Sequence, residues 1–98
     1  MAGKAGETFT MEHSGEQLTF SAFVLGLASS ALIHLGVHQN PETGKLTVEL
    51  VQARESIDVL ALLREKTRGN LTAEEEQLFS SVLADLRLRY VEKSNTKP

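Results

Sequence analysis

Two histidines, His34 and His38, stand four residues apart near the end of an apolar stretch. Within a helix that spacing lets two imidazoles share one metal ion. A metal site needs a third donor, however, and none is evident nearby in the sequence. His38 also falls beyond the expected end of its helix. The plainer arrangement is therefore expected: His34 partly buried and bonded to a backbone carbonyl, with His38 in a loop. No metal and no other cofactor is assigned.

Other polar groups are weighed in the same way. Lys66-Thr67-Arg68-Gly69-Asn70 sets two cations in a tight connection ahead of a helix, the outline of an anion site. Glu74, Glu75 and Glu76 already occupy that positive helix end and would repel phosphate, and no glycine-rich cradle accompanies them. A helix stop with solvated cations is the better account. Arg87, Arg89 and Tyr90 look like a fragment of a binding surface, but Arg87 and Arg89 point about 160° apart on a helix. Asp85 and Arg89 make an ordinary i,i+4 pair. Ser29-Ser30 has no partner base that would make either hydroxyl a nucleophile. No carboxylate pair sits in an apolar setting that would split its acidities. No catalytic residue is assigned, and the balance lies against an enzyme.

The elements that hold these groups are more informative. The chain has 98 residues, enough for one domain, with a net charge of −3, five aromatics and no cysteine. Its acidic balance argues against a nucleic-acid partner, which calls for a basic face. The absence of cysteine removes disulfides and thiolate metal sites and fits a reducing, cytoplasmic setting. All 23 charged residues lie outside Gln17–Pro41. That charge-free run follows sixteen polar-rich residues, the wrong order for a secretory signal peptide. Leu18–Val37 has about the 20 residues a membrane span needs. It contains Thr19, Ser21, Ser29, Ser30, His34 and two glycines and lacks flanking Lys or Arg, so a buried helix is the expectation.

Periodicity predicts an all-α, three-helix domain over 18–92, with helices at about 19–36, 50–67 and 73–91. A flexible N-terminal tail over 1–17 and a frayed end over 93–98 flank it. Helix 1 has two unlike faces. Phe20, Phe23, Val24, Leu27, Ala31 and Leu35 form a bulky face for the domain's own core. Ala22, Gly26 and Ser29, continued by Ile33, form a small-residue face that admits a neighbouring backbone. Asn40-Pro41-Glu42-Thr43-Gly44 is a turn, and Leu46–Leu50 could be a short extended entry to helix 2. Helix 2 carries Leu50, Ala53, Ile57, Leu60 and Ala61 as its main stripe, with Val51, Val59 and Leu62 on other sides. Gly69 stops it. Thr72 and Glu75 form a capping box for helix 3, whose apolar face is Leu78, Phe79, Val82, Leu83, Leu86 and Tyr90.

Four blocks carry a family resemblance: FSAFVLGLASSALIHLG at 20–36, NPETGK at 40–45, ESIDVLALLREKTRGNLT at 55–72 and EEEQLFSSVLADLRLRYVE at 74–92. In this order they resemble a bacterial family known as domain of unknown function 1844, over about three quarters of the chain. The resemblance implies a small helical, cytosolic domain and no particular activity. One departure is Glu49, where the family pattern has Asp, a better helix cap.

Helix 1 is apolar on both sides, and only two other helices are available to cover it. The expectation is a self-associating, non-catalytic scaffold or protein-interaction module, most simply a two-fold homodimer through helix 1. An unidentified protein partner is the related possibility. The rivals are a membrane-associated protein using 18–37 and a metal protein or enzyme using His34.

Overall fold

The computed structural model describes residues 10–13 and 16–95. Three helices form an up-down-up bundle: α1 Phe20–His34, α2 Leu50–Lys66 and α3 Ala73–Asn95. The start of α2 lies against the end of α1, where the Glu49 amide donates to the His34 carbonyl. The end of α2 lies against the start of α3, where Arg64 bonds Ser80. Each helix is therefore antiparallel to the one before it.

Two boundaries differ from expectation. Part of the stretch expected to be a tail is a two-stranded antiparallel hairpin. Strand β1, Thr10–His13, pairs with β2, Glu16–Thr19, with Thr10 opposite Thr19 and His13 opposite Glu16. The strands are too short and polar to show a period, which hid them from pattern analysis. Residues 1–9 and 14–15 lie outside the described residues. At the other end, α3 continues through Asn95 rather than fraying at Lys93. Residues 96–98 are outside the described set.

Local chemistry fixes the helix ends. Thr19 caps α1, its Oγ1 accepting from the Ala22 amide at 3.0 Å. The helix closes in a Schellman arrangement: the Gly36 amide donates to Ile33 and the Val37 amide to Leu32. Gly36 has φ +79°, and a Cβ there would lie 2.7 Å from Val48 Cγ2, so conformation and space both select glycine. At the start of α3, Thr72 Oγ1 accepts from the Glu75 amide while Glu75 Oε1 accepts from the Thr72 amide, a reciprocal capping box. The Asn40 turn forms as its residue types require, with the Gly44 amide donating to the Asn40 carbonyl and Gly44 at φ +70°. Leu46–Glu49 form no strand; they cross as irregular chain.

The core joins all three helices. Val24, Ala28, Ala31 and Leu35 meet Ala53, Ile57 and Leu60 from α2 and Phe79, Leu83 and Leu86 from α3, all at most 6% exposed. Each large apolar side chain so buried contributes roughly 1.5–3 kcal/mol. Phe20, Leu27, Leu78, Val82 and Tyr90 pack around this centre half-buried. Phe23, expected in the core, is 44% exposed. The reason is rotational: the inward direction of α1 bisects Val24, Ala28, Ala31 and Leu35, about 40° from the centre of the bulky face. Two alanines on that line let α1 sit close to its neighbours. Phe23 is left at the rim, its ring 6.3 Å from that of Phe20, which in turn packs on Phe79 at 5.8 Å.

Candidate functional site

The outward side of α1 is the most distinctive surface. Ala22, Gly26 and Ser29 are exposed on one face, and Ile33 continues it half-buried. Phe23 and Leu25, 44% and 48% exposed, flank this stripe. Ser30 is exposed beside them. None of these residues is charged, because α1 contains no Asp, Glu, Lys or Arg at all. A Cβ added to Gly26 would meet nothing within 4 Å. The folded chain therefore gives this glycine no packing reason, although glycine inside a helix costs about 1 kcal/mol against alanine. Small side chains at the centre and bulky ones at the edges make a shallow channel into which another helix can settle.

His34 ends α1, and His38 lies beyond it in the connection, so the two do not share a helical face. His34 does not bond a backbone carbonyl through its ring. Its Nδ1 lies 3.1 Å from Oε1 of Glu49, and since a carboxylate only accepts, Nδ1 is the donor. The imidazole borders a shallow cleft of about 220 Å3 with Ser30, Ile33, Asn40, Pro41 and Glu42. Among the described residues no group of three or more His, Asp or Glu side chains could hold a metal ion. Glu49 is not legible as a partner in the sequence, because the two residues are far apart in the chain and meet only through the turn at Asn40.

The cations of the α2–α3 connection are arranged in a way that linear spacing did not reveal. Arg68 is tied to Glu65 at 2.7 Å, and this hydrogen bond, then the carboxylate's charge, raises the pKa of its guanidinium. Asp85 does the same for Arg89 at 2.8 Å, as the i,i+4 spacing required. Arg64 reaches across to α3, donating to Ser80 Oγ at 2.8 Å and to Glu76 Oε1 at 3.4 Å. Arg87 points away from Arg89 and into the groove between α2 and α3. The available signal was the spacing Arg54, Asp58, Ala61, Glu65, Arg68, a single face of α2 continued past its end.

Tyr90 borders the same groove half-buried. Among the described residues no helix is long and apolar enough to cross a membrane. Compared with known proteins, residues 17–92 match the model of the family described as "Domain of unknown function (DUF1844)". No curated protein and no solved structure matches the chain.

Proposed function

This chain belongs to the domain of unknown function 1844 family, whose name assigns no activity, and we propose that it is a non-catalytic, self-associating interaction module working through the outer face of α1. The observation that carries this reading is the exposure of an entirely uncharged helix face, with Gly26 open at its centre and Phe23 and Leu25 at its edges. The occupant we assign is a second copy of the same chain. A two-fold pair brings identical patches together, and any charge on such a patch near the axis would face its like. This face carries none. Two copies can therefore meet through it without bringing like charges together.

A helix of 15 residues is about 22 Å long, so its face alone lies near the small end of specific interfaces. A dissociation constant of about micromolar order is therefore expected. The module would act in a bacterial cytosol as a dimeric scaffold, and an unidentified protein could engage its remaining surface. The absence of cysteine and the net charge of −3 suit that setting and give no support to a nucleic-acid partner.

The test combines mass with a variant. Gly26→Leu meets open space in the single chain and overfills the channel in the pair. It should leave the fold intact and abolish association. A monomeric wild-type chain, or a Gly26→Leu variant that associates unchanged, would remove the proposal.

A further inference from the structure

The groove between α2 and α3 is independent of the α1 face and has a chemistry of its own. It holds two neighbouring cavities of about 250 Å3 each. The first has polar walls: Arg64, Arg68 and Arg87 stand around it with Glu65 and Glu76, over a floor of Ala61 and Leu83. The second is more apolar, formed by Ile57, Tyr90 and Val91, with Arg54 and Asp58 at its edge. Arg87 lines both.

The charge count along this groove is uneven. Four guanidinium groups face three carboxylates, in a chain whose net charge is −3. Three of the arginines have a partner: Arg68 with Glu65 at 2.7 Å, Arg64 with Glu76 at 3.4 Å and Arg54 with Asp58 at 4.0 Å. Arg87 has no hydrogen bond and no ion pair among the described residues. The unmatched cation thus stands where the polar cavity opens into the apolar one. Arg64 strengthens the point, since its contact with Glu76 is long and its better bond is to the neutral Ser80 hydroxyl. An arriving anion could take either guanidinium without breaking a short ion pair.

We propose that this groove binds a small organic anion, its phosphate or carboxylate held by Arg87 and Arg64 and its apolar body lying over Ile57, Tyr90 and Val91. Planar guanidinium groups bind both anions through paired N–H donors, which fits either head group. The apolar cavity discriminates in favour of an anion carrying a hydrocarbon portion over a bare inorganic ion. Glu65 and Glu76 limit the head group to one that reaches Arg87 without lying against them.

Tyr90 is the sole tyrosine and there is no tryptophan, so intrinsic fluorescence reports on the apolar cavity directly. The full chain is titrated with hexyl phosphate, hexanoate, inorganic phosphate and hexyltrimethylammonium, following tyrosine emission and amide resonances. Hexyl phosphate or hexanoate should saturate with a dissociation constant of about 0.1–1 mM, shifting resonances of 61–68 and 83–91. Inorganic phosphate should bind at least about tenfold more weakly, and the cationic amphiphile should not bind. Arg87→Gln, at an exposed position, should keep the fold and weaken the alkyl anion by about tenfold or more. Gln52→Ala, exposed on the side of α2 turned away from the groove, should leave it unchanged. The proposal is overturned if neither alkyl anion saturates by about 10 mM, if Arg87→Gln binds as tightly as wild type, or if hexyltrimethylammonium shifts the same resonances.

Discussion

Glu49 is joined to His34 twice: its amide donates to the His34 carbonyl at 2.7 Å, and its Oε1 accepts from the imidazole Nδ1 at 3.1 Å. The backbone bond satisfies one of the carbonyls left without a partner at the end of α1. The side-chain bond has a consequence for α2. Glu49 is the N-cap residue of that helix, yet it makes no capping bond, because its carboxylate is turned toward His34.

Glu49→Asp sets the two roles against each other. The shorter side chain loses the reach to His34, a hydrogen bond between groups 30% and 49% exposed that contributes about 1 kcal/mol. It gains a competent cap, which contributes about 0.5–2 kcal/mol. The cap should win. Thermal unfolding is expected to move upward by a few degrees; a downward shift would show that the link to His34 dominates.

The capping box at α3 makes a stronger demand. Glu75 is 3% exposed and its carboxylate satisfies the Thr72 amide. Thr72→Ala should cost about 1 kcal/mol, and Glu75→Ala about 1–3 kcal/mol because a partly buried amide loses its acceptor. Urea unfolding of both single variants and the double variant should show coupling: the double loss should be smaller than the sum. Strict additivity would mean that the two bonds do not act as a unit.

Two glycines should respond with opposite sign. Gly36→Ala forces a side chain to φ +79° and against Val48, and should cost more than about 1 kcal/mol. Gly26→Ala meets open space within α1 and should stabilise the single chain by up to about 1 kcal/mol. Denaturation at concentrations low enough to dissociate any pair separates the two effects. A neutral Gly36→Ala would contradict the account of the α1 terminus.

The outline of the fold was legible because its signals are local. Thr19 or Gln17, Gly36, Gly69 and the Thr72–Glu75 box mark helix ends by their own chemistry, and α3 shows its buried stripe plainly. The orientation of α1 was less legible. A helix apolar on every side has no polar face to fix its rotation, so bulk suggested that Phe23 points inward, whereas the alanines at 28 and 31 set the inward line. The strands of the hairpin at Thr10–Thr19 are too short and polar to show a period, and the α2–α3 groove depends on residues from two helices, which a single helical period does not report. On α3 alone Arg87 diverges from Arg89; its companions in the groove, Arg64 and Arg68, are contributed by α2 and the residues just after it.

Core and rim phenylalanines should separate stability from assembly. Phe79 is fully buried, and Phe79→Ala should cost about 3–5 kcal/mol, a large share of what a domain this small possesses. Phe23→Ala should cost about 1 kcal/mol or less in the single chain, yet weaken association strongly. Circular dichroism and sedimentation on the same samples would check both halves. A Phe23→Ala chain that unfolds as readily as Phe79→Ala would place that ring in the core after all.

The central claim is that α1 offers its outer face to a second copy. Light scattering coupled to size exclusion, across micromolar concentrations, tests it most directly. Wild type should show a mass that rises with concentration from 10.7 kDa toward twice that value, whereas Gly26→Leu should stay at 10.7 kDa with helical content retained. A wild-type chain that remains at 10.7 kDa throughout that range would contradict it.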